Sequence, residues 1–121
     1  MHEMGIANSV LESVRIEARR FPGRHIYKVG VRIGELSGVD PDAMRFCFEA
    51  LVRDTDLEPL ALEVDYRPRR HECRSCGRSF APRSGDWMCP HCGAAESQFI
   101  EGDELELAYL EVEDGARSAG A

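Results

Sequence analysis

The chain has no run of eighteen apolar residues, so nothing in it reads as a membrane-spanning helix. Its opening, Met1-His2-Glu3-Met4, lacks the basic-then-apolar layout of a secretory leader. No phosphate-binding glycine loop and no nucleophile-base-acid constellation occurs, which makes an enzyme the weakest reading. Internal repeats and low-complexity linkers are absent as well. Positive charge is scarce: 15 Lys and Arg face 22 Asp and Glu, for a net charge of −7. That balance argues against a nucleic-acid binder taken as a whole. What remains is a cytoplasmic protein whose 121 residues form one ordinary domain, or a small core plus an appended module.

Cysteine is where the chain is rich. Four of its five cysteines form two C-x-x-C pairs, Cys73-Arg74-Ser75-Cys76-Gly77 and Cys89-Pro90-His91-Cys92-Gly93. A two-residue gap lets a tight turn aim both sulfurs at one point, and the following Gly can take the positive φ that closes the turn. Two such knuckles make a tetrahedral S4 cage, suited to zinc or to a single iron. The 12 residues between Cys76 and Cys89 are fewer than in most zinc ribbons but enough to double back. Disulfides fit poorly with an odd cysteine count and no leader. A thioredoxin-like pair would place one C-x-x-C at a helix start, not two in Gly- and Pro-rich turns. Zinc leads iron by frequency alone, and a rubredoxin-like iron electron carrier stays open. So does a zinc-ribbon interaction module. Between Arg67 and Cys92 six Arg stand against Glu72 and Asp86, a balance of +4. Four thiolates and one divalent ion reduce this to about +2, weak for phosphate binding through Arg69, Arg70, Arg74, Arg78 and Arg83.

The rest of the chain reads as a small α+β core. Ala7, Val10, Leu11, Val14 and Ala18 fall on one face of a helix starting near Met4 and stopped by Phe21-Pro22-Gly23. Tyr27, Val29, Val31 and Ile33 alternate with Lys28, Gly30 and Arg32 as a half-buried strand. Gly34 to Gly38 turn the chain. Asp40 caps a second helix with Pro41 at its first position, running to about Asp54. Met44, Cys47, Phe48 and Leu51 form its apolar stripe, so Cys47 reads as a core thiol. A second strand spans Leu60 to Arg67. A third runs from Glu104 to Val112: Leu105, Leu107 and Tyr109 face one way, then Leu110 and Val112 shift phase, which predicts a bulge near Ala108. The tail from Asp114 to Ala121 reads as disordered. The expected architecture is a three-stranded sheet with two helices and an inserted zinc-ribbon-like domain. Residues 1–68, completed by 100–121, form the core, and 69–99 form the metal module.

The first three residues offer a second metal site. The Met1 amine and the His2 backbone nitrogen close a five-membered chelate ring; the His2 nitrogen and its imidazole Nδ1 close a six-membered one. Glu3 can add a fourth donor. Square-planar N/O coordination is the preference of Ni(II) and Cu(II). Taken alone, the motif is short and carries a high false-positive rate.

In combination the motifs resemble the HypA/HybF family of nickel metallochaperones. The resemblance is carried by Met1-His2-Glu3, by Val31-Arg32-Ile33-Gly34-Glu35-Leu36-Ser37-Gly38-Val39 leading into Asp40-Pro41, and by Phe46-Cys47-Phe48-Glu49. Leu62-Glu63-Val64 ahead of the first cysteine pair and Cys89-Pro90-His91-Cys92-Gly93 complete it. It implies nickel carried by His2 with the Met1 amine and Glu3, and structural zinc on Cys73, Cys76, Cys89 and Cys92. It implies switching roles for His71 and His91 beside that zinc. The implied partners are a HypB-type GTPase and the [NiFe]-hydrogenase large subunit, with urease accessory proteins in some members, and no nucleic acid or membrane. The oligomeric state stays open between monomer and homodimer.

Overall fold

A computed structural model describes residues 2–83 and 85–114. In order, these form helix α1 (His2–Ala18), strand β1 (Ile26–Gly34), a 3-10 turn (Glu35–Ser37), helix α2 (Pro41–Val52), and strands β2 (Ala61–Arg67), β3 (Arg70–Cys73), β4 (Ser79–Phe80), β5 (Ser97–Glu101) and β6 (Leu105–Val112). Two three-stranded sheets result, ordered β2-β1-β6 and β4-β3-β5. Strands β1 and β2 are parallel, as a helical crossover through α2 requires, and β6 returns antiparallel to β1. The second sheet is antiparallel throughout. It was expected only as a metal module with no strands of its own assigned.

Both helices cover one face of the first sheet. Ala7, Leu11 and Val14 of α1 and Met44, Cys47, Phe48 and Val52 of α2 close over Val29, Val31 and Ile33 of β1. Phe48, Ile33, Met44, Val14, Val29 and Cys47 have almost no exposed surface. Burying each such aliphatic or aromatic side chain stabilises the fold by about 1.5–3 kcal/mol. The Asp40 cap forms as expected: its Oδ1 accepts from the Asp42 N–H at 3.0 Å, with Pro41 opening the helix.

Several expectations shift by small amounts, each with a cause. Helix α1 begins at His2, not Met4, because Glu3 suits the positive end of the helix dipole and leaves no break before it. Helix α2 stops at Val52 because Asp54 adopts a left-handed φ of 63°. In β1 it is Ile26, not Tyr27, that enters the core, since a register shift between Ile26 and Lys28 turns the end of the strand. The bulge near Ala108 is present: Gly30 faces Tyr109 while Val31 faces Leu107. It sends Tyr109 to the helix-free face, across Gly30, where its hydroxyl donates to Glu63. Leu105 and Leu107 before the bulge and Leu110 after it keep to the other face. That helix-free face is a charge lattice, with Arg32 bridging Asp65 and Glu106, and Lys28 lying between Glu63 and Glu111. The tail from residue 115 onward lies outside the described residues.

Candidate metal centres

The second sheet holds the sulfur cage. Strand β3 ends on Cys73, and each knuckle closes by the same backbone bond: Gly77 N–H to Cys73 O at 2.9 Å, and Gly93 N–H to Cys89 O at 2.8 Å. Both glycines take left-handed φ, 76° and 79°. The four Sγ atoms lie within 4.8 Å of one another, with Cys73 to Cys92 at 3.5 Å and Cys76 to Cys89 at 3.7 Å. A tetrahedral ion with bonds near 2.3 Å sets sulfurs about 3.8 Å apart, close to the spacing of these two pairs. Backbone N–H groups of Ser75 and Cys76 point at Cys73 Sγ, and that of His91 at Cys89 Sγ.

The protons show why a cation is called for. The Cys76 amide, with help from that of Ser75, pulls the Cys73 thiol down to about 6. Cys92 gains from the Ala94 amide, yet the neighbouring Cys73 sulfur and burial push it up to about 11. Four sulfurs this close cannot all ionise together unless positive charge sits among them. Among the described residues, no other group of His, Cys, Asp or Glu converges in this way.

His71 and His91 separate. His71 is buried, its ring within 6.1 Å of Phe80, Trp87 and Phe99. Its Nε2 accepts from Arg69 Nε at 2.9 Å, which places the ring proton on Nδ1, facing Ser97 Oγ at 2.8 Å. Burial first, then the Arg69 charge, holds its pKa below the ordinary 6.5. The Arg69 guanidinium lies 3.9 Å over the Trp87 ring. Phe80 packs beside Cys73 and Cys89, whereas Trp87 stays about half exposed. The His91 side chain is exposed, and only its backbone N–H touches the cage.

At the other end, His2 is exposed and is the first residue of α1. The first four N–H groups of a helix have no partner within it, so the His2 backbone nitrogen is spared for other use. His2 stands at the mouth of a groove of about 480 Å³ between α1 and β6, floored by Ile6, Val10, Ile33 and Leu107. Glu3 Oε2 accepts from the Asp40 N–H at 3.2 Å, which ties the start of α1 to the start of α2. Met1 lies outside the described residues. Sequence reasoning did not connect Glu35, quoted only within a motif, with Arg69, weighed only for phosphate binding. Glu35 Oε1 accepts the Arg69 N–H at 2.9 Å, a contact between positions 34 residues apart that no local pattern announces.

Known proteins place this arrangement. A family model described as hydrogenase/urease nickel incorporation, metallochaperone, hypA, matches residues 1–112. The hydrogenase maturation factor HypA of Geobacter metallireducens is 47% identical over 113 residues, covering 93% of this chain and 100% of that protein. The factor of the same name from Geobacter sulfurreducens is 43% identical at the same coverage. Among solved structures, a solution structure of a HypA protein is 25% identical with a TM-score of 0.65, covering 93% of this chain and 97% of that one. The Ni metallochaperone HypA from Helicobacter pylori shares the fold, with a TM-score of 0.57 at 24% identity over 90% of this chain and 95% of that one. A maturation factor is what these matches support, not a nucleic-acid module, an iron electron carrier or a catalyst. Among the described residues no helix is long and apolar enough to cross a membrane. Because the match runs from the first helix through both cysteine pairs to the last strand, the chain belongs to the HypA family of metallochaperones and hydrogenase maturation factors.

Proposed function

We propose that this chain takes up Ni(II) at its first three residues and hands it to the large subunit of a [NiFe]-hydrogenase, with urease as a second client. The Met1 amine, the His2 amide nitrogen and the His2 Nδ1 form the clamp, and Glu3 supplies the fourth donor. Cys73, Cys76, Cys89 and Cys92 hold zinc as a structural ion. Handover proceeds in the cytoplasm with a HypB-type GTPase, and with urease accessory proteins for the second client.

The observation that carries this reading is the placement of His2: exposed, first in its helix, with a backbone nitrogen that no helical bond claims. Deprotonating that nitrogen and keeping the imidazole neutral makes affinity fall as acidity rises. An exposed clamp of adjacent residues can lose its donors one at a time to a partner. The cage has no open position and takes no part in exchange. The description of the matching family model, nickel incorporation by a metallochaperone, supports nickel as the cargo.

Titration calorimetry and metal analysis of the untagged protein test this. His2→Ala removes stoichiometric nickel binding and leaves zinc at one per chain. A tag ahead of Met1 weakens nickel binding by removing the free amine. Parent-like nickel binding in both would refute the site.

A further inference from the structure

The two sheets are joined by two short crossings, Pro68 and Arg69 between β2 and β3, and Gly102 to Glu104 between β5 and β6. Joints this short usually swing unless something fixes them. Here the segment from Gly34 to Asp40 does so. Gly34 N–H donates to Glu104 O and Leu36 N–H donates to Gly102 O, both at 2.7 Å. A Cβ on Gly34 would overlap the Gly102 carbonyl, and one on Gly102 would stand 2.6 Å from Arg69 Cα. The second crossing is therefore pressed between the turn and the first crossing. The first crossing meets the turn through one polar contact, Arg69 N–H to Glu35 Oε1 at 2.9 Å.

We propose that Glu35 is a positioning residue, a latch that fixes the four-cysteine sheet against the helical core. Arg69 is its counterpart. The Arg69 backbone is held by the core, while its side chain is spent on the second sheet, bonded to His71 and stacked on Trp87. The segment beyond Glu35 leads toward the N-terminus. Gly38 closes the 3-10 turn at a φ of 78°, Val39 is buried in the core, and Asp40 N–H rests on Glu3 Oε2. One stretch of seven residues thus grips the sulfur module at one end and the first turn of α1 at the other, and Glu35 is its only side-chain grip on the module among the described residues. With the latch closed, the module keeps one orientation relative to His2; with it open, the Gly34 and Leu36 backbone bonds and the Arg67–Glu101 ion pair at 3.4 Å are left to hold it, and the module swings more widely. This assignment goes beyond the metal reading and stands whatever ion either site carries.

Residual dipolar couplings and amide exchange on the metal-loaded full chain test it. In the parent protein, couplings from residues 26–67 and 70–101 fit a single alignment tensor. Glu35→Ala requires two tensors, and exchange at the Arg69 amide rises roughly tenfold on losing a bond to a carboxylate. Glu35 is exposed, so the helices and zinc content stay as in the parent. Glu35→Gln, whose amide oxygen still accepts, returns one tensor and slow exchange. A parent needing two tensors, or Glu35→Ala that keeps one tensor and slow exchange, would overturn the assignment. Because nickel enters none of these measurements, a failed nickel titration would sink the proposed function and leave the latch to be judged by the couplings.

Discussion

Replacing Cys73 with Ser should dissolve the second sheet and spare the first. Cys73 is 1% exposed, its sulfur receives two backbone N–H groups, and it sits 3.5 Å from Cys92 Sγ. Beyond the cysteines, the apolar cluster around it among the described residues contains Phe80, 5% exposed, and Ala94, partly buried. One buried aromatic contributes about 1.5–3 kcal/mol. Ordering the chain from β3 to β5 opposes folding by about 1–2 kcal/mol per residue in backbone entropy alone. Metal binding by such cages contributes about 10–16 kcal/mol, as much as a whole small domain retains in net stability. Serine keeps the shape but is a poor ligand at neutral pH, so most of that contribution goes. The assay is a two-dimensional amide spectrum with zinc analysis alongside. Resonances of residues 70–101 should collapse to unfolded positions while those of α1, α2 and β1 stay dispersed. A dispersed second sheet without bound metal would refute the reasoning, because packing would then suffice. Collapse of the core as well would show that the sheets fold as one unit.

Phe48→Ala should destabilise the core by about 3–5 kcal/mol, since Phe48 has no exposed surface in a cluster drawn from α1, α2 and β1 among other segments; a denaturation midpoint lowered by less than about 1 kcal/mol equivalent would contradict the packing. Gly34→Ala sets a methyl against the Gly102 carbonyl, which cannot yield as a side-chain end would, and should lower stability by about 1–3 kcal/mol in the same assay. Tyr109 should ionise at about 12, raised first by its hydrogen bond to Glu63, and Glu63→Gln should bring it back toward 10.0 in an ultraviolet titration. Because the folded value is raised above the unfolded one, the stabilisation is complete below pH 10 and fades as pH climbs through about 12. An unchanged Tyr109 titration in Glu63→Gln would remove that cause.

The elements that were legible in the sequence are those fixed locally. The Asp40-Pro41 cap, the two glycine-closed knuckles and the helical stripe of α2 each follow from residues within a few positions of one another. The bulge at Ala108 was legible because it breaks a period of two within a single strand. Tyr27 and Tyr109 were misjudged because alternation ranks aromatics as core, whereas their hydroxyls find carboxylates on the far face, Glu111 and Glu63. At the metal site the four sulfurs could be read from spacing, but the locked tautomer of His71 could not. It depends on Arg69, Ser97 and three rings brought together by pairing β3 with β5. Glu35 was quoted as part of a motif, yet its role depends on a contact 34 residues away.

The cage is less sealed than a closed donor set implies. Cys73 and Cys89 are 1% and 3% exposed, while Cys76 and Cys92 face solvent. Under the proposed function, burial would therefore not be what keeps nickel from the cage or zinc from the N-terminus. Donor type contributes, since soft thiolates select zinc while imidazole suits either ion. The further discriminant is geometry. Four sulfurs within 4.8 Å of one another, two of the pairs at 3.5 and 3.7 Å, suit a tetrahedral ion, and backbone bonds at Gly77 and Gly93 hold them. The cage offers sulfur donors and no planar set of nitrogens. At His2 the reverse holds, since consecutive backbone and side-chain nitrogens close small rings that lie in one plane. Under the proposed function, each ion would be kept from the other's site by its donors and by the shape the local chain can adopt, and the protein would retain one metal while handing on the other.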